Sequence, residues 1–245
     1  MMGRQPLGFN SGFDLVFEDD FDGASLDLTN WDYYPYGTTN AVPLDANLTV
    51  ANSIAYAEMK EEVPPVGGKD YSYSGLLGLK TFDMCYMEAR INFPPVIGWN
   101  LAFWTSCFPL PAAPFLPTMI EIDTFESFCE DEVTSTHGAG GFAHDGVGYI
   151  ALGGKQLPTT YGEFVVYGVM ITRGVINFYL DGRRAHSKYY DPTALYPGRG
   201  WIVIVSTSSG STYTVDPDTL PASIAVDWVR VYNIQVPQTL RRMQI

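Results

Sequence analysis

The sequence predicts an all-β protein, either a sandwich or a barrel. Its 24 glycines and 17 prolines punctuate the whole chain, and no long segment repeats its apolar residues with the 3.6-residue period of a helix. Short runs that alternate apolar and polar residues recur instead, which is typical of strands. Aromatic residues make up 14% of the chain; they suit strands, and their flat faces also suit the apolar faces of sugar rings. At 245 residues the chain fits one domain of this class.

The strand pattern recurs along the chain in segments of five to ten residues. The dipeptide Asp181-Gly182 predicts a two-residue hairpin between two of them. The predicted strands are 13–21, 53–61, 75–80, 84–93, 99–106, 120–128, 133–137, 164–172, 175–180, 183–188, 201–206 and 224–232.

The predicted strand 84–93 has one apolar face and one mostly polar face, and Tyr86 and Arg90 lie on the polar one. We expect the apolar face in the core and the polar face in a wet groove. Arg90 would there orient carboxylates or bind sugar hydroxyls; a plain salt bridge is the alternative.

The predicted strand 120–128 carries three acids, Glu121, Asp123 and Glu126, within six residues of an apolar run. Glu121 and Asp123 share a face because side chains alternate along a strand, whereas Glu126 is odd relative to them. One extra residue, a β-bulge near Thr124-Phe125, would return Glu126 to the same face. Neighbouring carboxylates that differ in pKa are what hydrolysis of a glycosidic bond requires. We interpret Glu121 as the nucleophile, Glu126 as the general acid/base, and Asp123 as the charge that keeps a proton in the cluster. An exposed edge strand with solvated acids is the alternative.

Composition excludes several classes of function. The net charge of −13 argues against a nucleic-acid partner, because lysine and arginine must neutralise phosphates. No apolar run reaches the length of a membrane helix. We expect buried free thiols at Cys85, Cys107 and Cys129 rather than a disulfide between Cys107 and Cys129.

The chain resembles glycoside hydrolase family 16, the β-jelly-roll endo-glycosidases, over about residues 14–232. Glu121, Asp123 and Glu126 match the bulged form of its catalytic signature. The other segments that carry the resemblance are 73–81, 87–90, 101–104, 175–182, 220–222 and 226–232.

The resemblance implies a sandwich of two antiparallel sheets, concanavalin A-like, whose concave sheet forms a sugar cleft. It implies hydrolysis with retention through a covalent glycosyl-enzyme, with the roles given above for the three acids. It also implies that Trp104 lines the cleft, that His137 lies near the acids and that Asn40 binds sugar from an early loop.

The resemblance further implies a possible structural calcium at Glu18 and Asp227, with no cofactor required for catalysis. Family β-glucanases carry a tryptophan four residues before the position of Trp104. Asn100 occupies that position here, and Trp99 precedes it; both are expected cleft residues. The substrate therefore stays open between a β-1,3-glucan of the laminarin type and a marine galactan.

The sequence thus predicts one jelly-roll domain over residues 1–233, followed by a C-terminal extension over 234–245. The expected protein is a monomeric endo-β-glycosidase acting on an extracellular polysaccharide, with no membrane partner. The first residues lack the apolar region of a signal peptide, so we expect a trimmed leader, release by lysis or association with a virion. A non-catalytic glycan-binding jelly roll and a transglycosylase are the alternatives.

Overall fold

Two β-sheets stack face to face in the computed structural model, which describes residues 4–36, 38, 40–106, 120–129, 136–144, 149–151, 155–156, 161–189, 200–209 and 214–235. Within these residues every strand pair is antiparallel except β3 with β6, and there is no α-helix. The predicted all-β jelly-roll sandwich is confirmed. No helix within these ranges could span a membrane.

The first sheet has the strand order β16-β15-β14-β8-β18-β5-β6-β3, with β1 beside β18 and β4 beside β5. Its strands are β1 (Phe13–Asp19), β3 (Ala41–Pro43), β4 (Leu48–Ala51), β5 (Ile54–Val66), β6 (Lys69–Tyr73), β8 (Cys85–Asn92), β14 (Phe164–Thr172), β15 (Val175–Leu180), β16 (Arg183–Tyr189) and β18 (Ala222–Ile234).

The second sheet has the order β12-β11-β10-β9-β17-β7-β2, with β13 beside β11. Its strands are β2 (Trp31–Tyr33), β7 (Leu76–Gly78), β9 (Trp99–Ser106), β10 (Ile120–Phe128), β11 (Thr136–His144), β12 (Tyr149–Ala151), β13 (Lys155–Gln156) and β17 (Ile202–Ser209). Short 3-10 turns cover Asp45–Asn47 and Pro217–Thr219.

The core lies between the two sheets and takes alternate residues from each strand. On β9, Leu101 and Phe103 are buried in it, whereas Ala102 and Trp104 belong to a separate cluster on the opposite face. Each fully buried leucine or phenylalanine contributes about 1.5–3 kcal/mol relative to an exposed position. This burial fixes the strand's orientation, because a one-residue slip would exchange the two faces.

The sequence predicted the long strands more accurately than the short ones. The bounds 99–106, 120–128, 164–172 and 175–180 are confirmed to the residue. The predicted hairpin is confirmed: Asp181 and Gly182 both have positive φ, 46° and 72°, between paired β15 and β16, as a type I′ turn requires. The predicted strand 133–137 instead continues to His144, and the shorter strands β2, β3, β4, β6, β12 and β13 were not predicted.

Cys85 and Cys129 are buried free thiols, as predicted, while Cys107 lies outside the described residues. Strand β18 ends at Ile234, and residues 236–245 lie outside the described part of the chain. The division into one domain and an extension stays a prediction.

Candidate active site

The predicted β-bulge in β10 is confirmed. Asp123 pairs with Trp104 of β9, yet the next two pairs are Phe125 with Phe103 and Glu126 with Ala102. Thr124 is therefore the extra residue. Strand β11 has the same irregularity, since its register also shifts between Asp123 and Glu126.

The bulge brings all three acids to one side of the second sheet, which we call the acid face. Glu121, Asp123 and Glu126 pair with Ser106, Trp104 and Ala102. These partners are alternate residues of β9, so the acids share their face. Ile122 and Phe125 point into the core instead.

Core packing holds the residue after the bulge in place. The ring of Phe125 stacks on that of Phe93, with centroids 4.1 Å apart and planes at 17°, and its centroid lies 4.9 Å from that of Tyr167. Turning Glu126 inward would turn Phe125 outward and lose these contacts. The orientation of Glu126 thus depends on the burial of its neighbour.

Burial raises the pKa of all three acids, and repulsion between carboxylates adds to the rise for Glu121 and Asp123. Burial, and then the charge of Glu126, raises the pKa of Glu121 to about 7. Asp123, only 3% exposed, has its pKa raised well above the usual range by burial and by the charges of Glu121 and Glu126. Burial also raises the pKa of Glu126, and a hydrogen bond from Asn100 opposes that rise. Ionisation of one carboxylate disfavours ionisation of the next, because the charges repel one another. That the cluster retains a proton near neutral pH stays a prediction.

Asn100 contacts the acids directly. Its Nδ2 donates a hydrogen bond of 3.1 Å to Oε1 of Glu126. A donor to a carboxylate favours the charged form and fixes the position of the side chain. Asn100 thus lies on the acid face as expected, with its amide bound to an acid.

Trp104 anchors an aromatic group next to the acids. Its Nε1 donates to Oγ of Ser206 on β17 at 2.9 Å, and its ring lies edge-on to that of Tyr34, with centroids 6.4 Å apart. Tyr36 extends the group, 5.2 Å from Tyr34. Sequence reasoning missed Tyr34, Tyr36 and Ser206, although the run Tyr33-Tyr34-Pro35-Tyr36 was an available signal.

Comparisons with known proteins agree with this fold. No family model matches the chain. A beta-glucanase from Rhodothermus marinus is 26% identical over 268 residues, an alignment that covers 95% of this chain and 90% of that protein. The laminarinase structure from the same organism has a TM-score of 0.76 at 22% identity and covers 91% of this chain and 98% of that one. SCLam, a non-specific endo-beta-1,3(4)-glucanase from family GH16, has a TM-score of 0.75 at 20% identity, with 94% of each chain covered.

The chain has the laminarinase-like fold of glycoside hydrolase family 16. The predicted resemblance is confirmed.

Three residues expected at the sugar cleft of this family 16 fold lie elsewhere. Trp99 is fully buried in the core, where its ring centroid lies 6.3 Å from that of Tyr71 and 6.1 Å from that of Tyr73. It is five residues from Trp104 on an unbulged strand, so the two side chains take opposite faces. The expectation for Trp99 was wrong.

Tyr86 and Arg90 lie on β8, which belongs to the first sheet, whereas the acids belong to the second. Tyr86 is fully buried in an aromatic cluster on the outer face of the first sheet. Arg90 forms an ion pair with Asp227 and places its guanidinium 4.5 Å from the ring centroid of Phe164. Alternation along β8 was predicted correctly, but the polar face does not border the acids; the salt-bridge alternative for Arg90 is the one observed.

The remaining two sugar-binding predictions concern Asn40 and His137. Asn40 is exposed and immediately precedes β3; its role stays a prediction. The backbone of His137 pairs with Ser127, while Gly138 pairs with Glu126. The side chain of His137 lies outside the described residues, so its role also stays a prediction.

The carboxylates expected to hold calcium are engaged by arginines. Glu18 accepts a hydrogen bond of 2.8 Å from Nε of Arg230 and also pairs with Arg4; Asp227 pairs with Arg90. Carboxylate oxygens suit calcium, but in the described ranges no three acidic, histidine or cysteine side chains converge on one point. As arranged, these residues do not fit the ion, and calcium stays a prediction.

Proposed function

We propose that this protein is a retaining endo-β-1,3-glucan hydrolase. The observation that carries the proposal is the Thr124 bulge, because it brings Glu121, Asp123 and Glu126 to one face. The alternation of a regular strand would separate Glu126 from the other two acids. A fold that bears the cost of gathering three half-buried or buried carboxylates is consistent with acid and base chemistry at that face.

In the proposed mechanism Glu126 and Glu121 act on opposite ends of one bond. The Glu121 carboxylate attacks the anomeric carbon while the glycosidic C–O bond breaks, and Glu126 gives its proton to the leaving oxygen. Glu126 then removes a proton from water, whose oxygen attacks the same carbon and releases Glu121. Two displacements at one carbon give net retention of configuration.

Asp123 supports this chemistry through the proton that the cluster retains. It is the most buried of the three acids, and burial and the charges of its two neighbours raise its pKa well above the usual range. Protonated Asp123 leaves one fewer negative charge beside Glu121 and Glu126. Glu121 can then ionise for attack near neutral pH, where its pKa of about 7 places it.

The glucan substrate is supported by the relatives. The sequence relative is a beta-glucanase, and the structure with a TM-score of 0.76 is a laminarinase. A laminarin-type β-1,3-glucan is therefore the first substrate to test.

The roles of the acids are tested with Glu121→Gln and Glu126→Gln. The matched control is Glu61→Gln, because Glu61 is exposed on β5. Reducing ends released from laminarin should fall below detection for Glu121→Gln and by about 10²–10⁴-fold for Glu126→Gln, with Glu61→Gln unchanged. Proton NMR of the first product should detect the β-anomer before mutarotation.

Full activity in either acid variant would refute its assigned role. An α-anomer as the first product would exclude retention. Binding of laminarin by the wild type without any product would instead favour the non-catalytic glycan-binding alternative, and new longer oligosaccharides after addition of an acceptor sugar would favour transglycosylation.

A further inference from the structure

Strand β10 carries a polar residue on its core side directly after Glu126. Ser127 pairs with the core residue Leu101 of β9 and is fully buried. A buried hydroxyl needs a hydrogen-bond partner, because without one its loss of water is not compensated. The Ser127 hydroxyl shares a hydrogen bond of 2.5 Å with the hydroxyl of Tyr161 and a longer contact of 3.5 Å with the thiol of Cys129. Tyr161 is therefore the closer of these two polar partners.

Tyr161 approaches β10 from the end of the other sheet. It precedes β14, which begins at Phe164 in the first sheet, whereas β10 belongs to the second. The next residue, Gly162, donates its N–H to the carbonyl of Phe93 at 2.9 Å. Phe93 in turn directly follows β8 of the first sheet. Tyr161 and Phe93 thus extend from one place in the first sheet, where their main chains are joined.

These two aromatic residues contact β10 on both sides of Glu126. The ring of Phe93 stacks on that of Phe125, the residue before Glu126. The hydroxyl of Tyr161 is bonded to Ser127, the residue after it. Both contacts lie on the core side of the strand, while the side chain of Glu126 lies on the acid face. Together they limit the movement of the main chain that carries this acid.

The two contacts restrict different movements of the strand. Apolar packing is non-directional, so the stacked rings of Phe93 and Phe125 resist separation more than sliding. A hydrogen bond weakens steeply when its distance or angle changes. The bond between Tyr161 and Ser127 therefore fixes the position of β10 along directions in which the ring contact alone permits displacement.

We propose that Tyr161 and Ser127 are positioning residues, which hold Glu126 where it can give its proton to the leaving oxygen. This role rests on the proposed function, in which Glu126 is the general acid/base. The two hydroxyls meet on the core side of β10 and act through the main chain, without touching the substrate. Catalytic groups must be held within about 0.5 Å of their productive position, and a displacement near 1 Å can lower the rate by about a hundredfold.

The leaving group of the substrate distinguishes a misplaced acid from a damaged active site. Cleavage of laminarin requires the proton of Glu126, because the departing sugar oxygen is a strong base. Dinitrophenolate is a weak base and leaves without a proton. On dinitrophenyl β-laminaribioside, the carboxylate of Glu121 bonds to the anomeric carbon while the C–O bond breaks and its electron pair leaves with the aryl oxygen. This first step, which kcat/KM reports, does not need Glu126 as an acid.

The test compares kcat/KM on both substrates for wild type, Tyr161→Phe, Ser127→Ala and the double variant. Each single change removes one hydroxyl and leaves the rest of the side chain nearly intact. Tyr232→Phe is the matched control, because it removes a buried tyrosine hydroxyl from the outer face of the first sheet, where that group donates to Glu88. Thermal unfolding of each variant reports any general loss of stability.

Tyr161→Phe and Ser127→Ala should each lower kcat/KM on laminarin by about tenfold, because the ring contact of Phe93 remains. The loss should lie in kcat, with KM unchanged, since neither hydroxyl contacts the substrate. On the dinitrophenyl substrate both variants should match wild type, as should Tyr232→Phe on either substrate. The double variant should be no slower than the single ones, because all three lack the same bond.

The positioning role is overturned if Tyr161→Phe retains full activity on laminarin, or if Tyr232→Phe loses as much activity. It is also overturned if activity falls equally on both substrates, which would indicate a general disturbance of the site, or if the losses add in the double variant. In each of these cases the wild type is active. Failure of the proposed function has a separate sign, because the wild type would then release neither reducing ends nor dinitrophenolate, and the positioning role would fall with it.

Discussion

Deleting Thr124 should leave a folded protein with all three acids on the same face. Between Asp123 and Glu126, β10 advances three residues while β11 advances from Gly140 to Gly138, which is two. Without Thr124 the strand would also advance by two, so the register with both neighbours would close without a bulge. The three acids would then still lie on one face of the sheet, as they do now because of the bulge.

The energetic cost of this deletion should be small. The hydroxyl of Thr124 is buried and has no hydrogen-bond partner among the described residues, a condition that costs about 1–3 kcal/mol. Removing it and restoring regular ladder hydrogen bonds, each worth about 1 kcal/mol, offsets the readjustment of the bent strand. We expect a net change within about 2 kcal/mol, or a Tm within roughly 4–8 °C of wild type.

Deletion of Ile122 is the matched control. Ile122 is fully buried in the core, and its loss alone costs about 2–5 kcal/mol. The deletion also makes Glu121 and Asp123 adjacent, which forces one of them toward the core and adds the cost of an unpaired buried charge. We expect this variant to be unfolded at temperatures where the Thr124 deletion is folded.

Thermal unfolding followed by tryptophan fluorescence, together with reducing-end release from laminarin, measures both outcomes. Activity of the Thr124 deletion should fall by about tenfold to a hundredfold, because a displacement near 1 Å of a catalytic group has an effect of this size. If the Thr124 deletion unfolds at the same temperature as the Ile122 deletion, Thr124 is not a removable extra residue of β10. A folded deletion as inactive as Glu126→Gln would mean that the bulge aims Glu126 in addition to selecting its face.

Two further predictions concern the pKa values of buried acids. Asn100→Ala removes the hydrogen-bond donor that favours ionised Glu126, so the pKa of Glu126 should rise. The fall of kcat/KM on laminarin at basic pH should then occur at higher pH, and Asn177→Ala on the other sheet is the control. If this basic limb of the profile does not move, Asn100 has another role. Burial raises the pKa of Glu88 from 4.5, so folded protein binds a proton that unfolded protein releases, and wild-type stability falls as pH rises from about 4.5 through the raised value. The Tm of Glu88→Gln relative to wild type should therefore increase between pH 4 and pH 8, and a difference that stays constant with pH would contradict this reasoning.

The catalytic strand was predictable because its signals are local. Alternation fixes the faces of Glu121 and Asp123, and the odd spacing of Glu126 requires one extra residue if the acids are to act together. The flanking residues Ile122 and Phe125 show which side is apolar. All of these signals lie within one strand, so they do not depend on which strands are its neighbours.

The errors for Tyr86 and Arg90 have a different origin, since they concern which sheet a strand joins. The faces of β8 were correct, but the sequence contains no local signal that β8 lies between β14 and β18 of the other sheet. Arg90 and Tyr86 were therefore assigned to the wrong groove. The error for Trp99 was avoidable, because its odd spacing from Trp104 already placed it on the core side.

The residues opposite Glu126 explain why a sugar can reach its carboxyl group. On the two neighbouring strands Glu126 pairs with Ala102 and Gly138, whereas Asp123 pairs with Trp104 and Gly140. Directly opposite positions in antiparallel strands bring Cβ atoms within about 5.5 Å, so large side chains on both sides would cover a carboxyl group. Glu126 has a small residue on each side, while the large side chain of Trp104 lies opposite Asp123, which is buried. The greater exposure of Glu126 than of Asp123 therefore follows from the size of the side chains in register with β10.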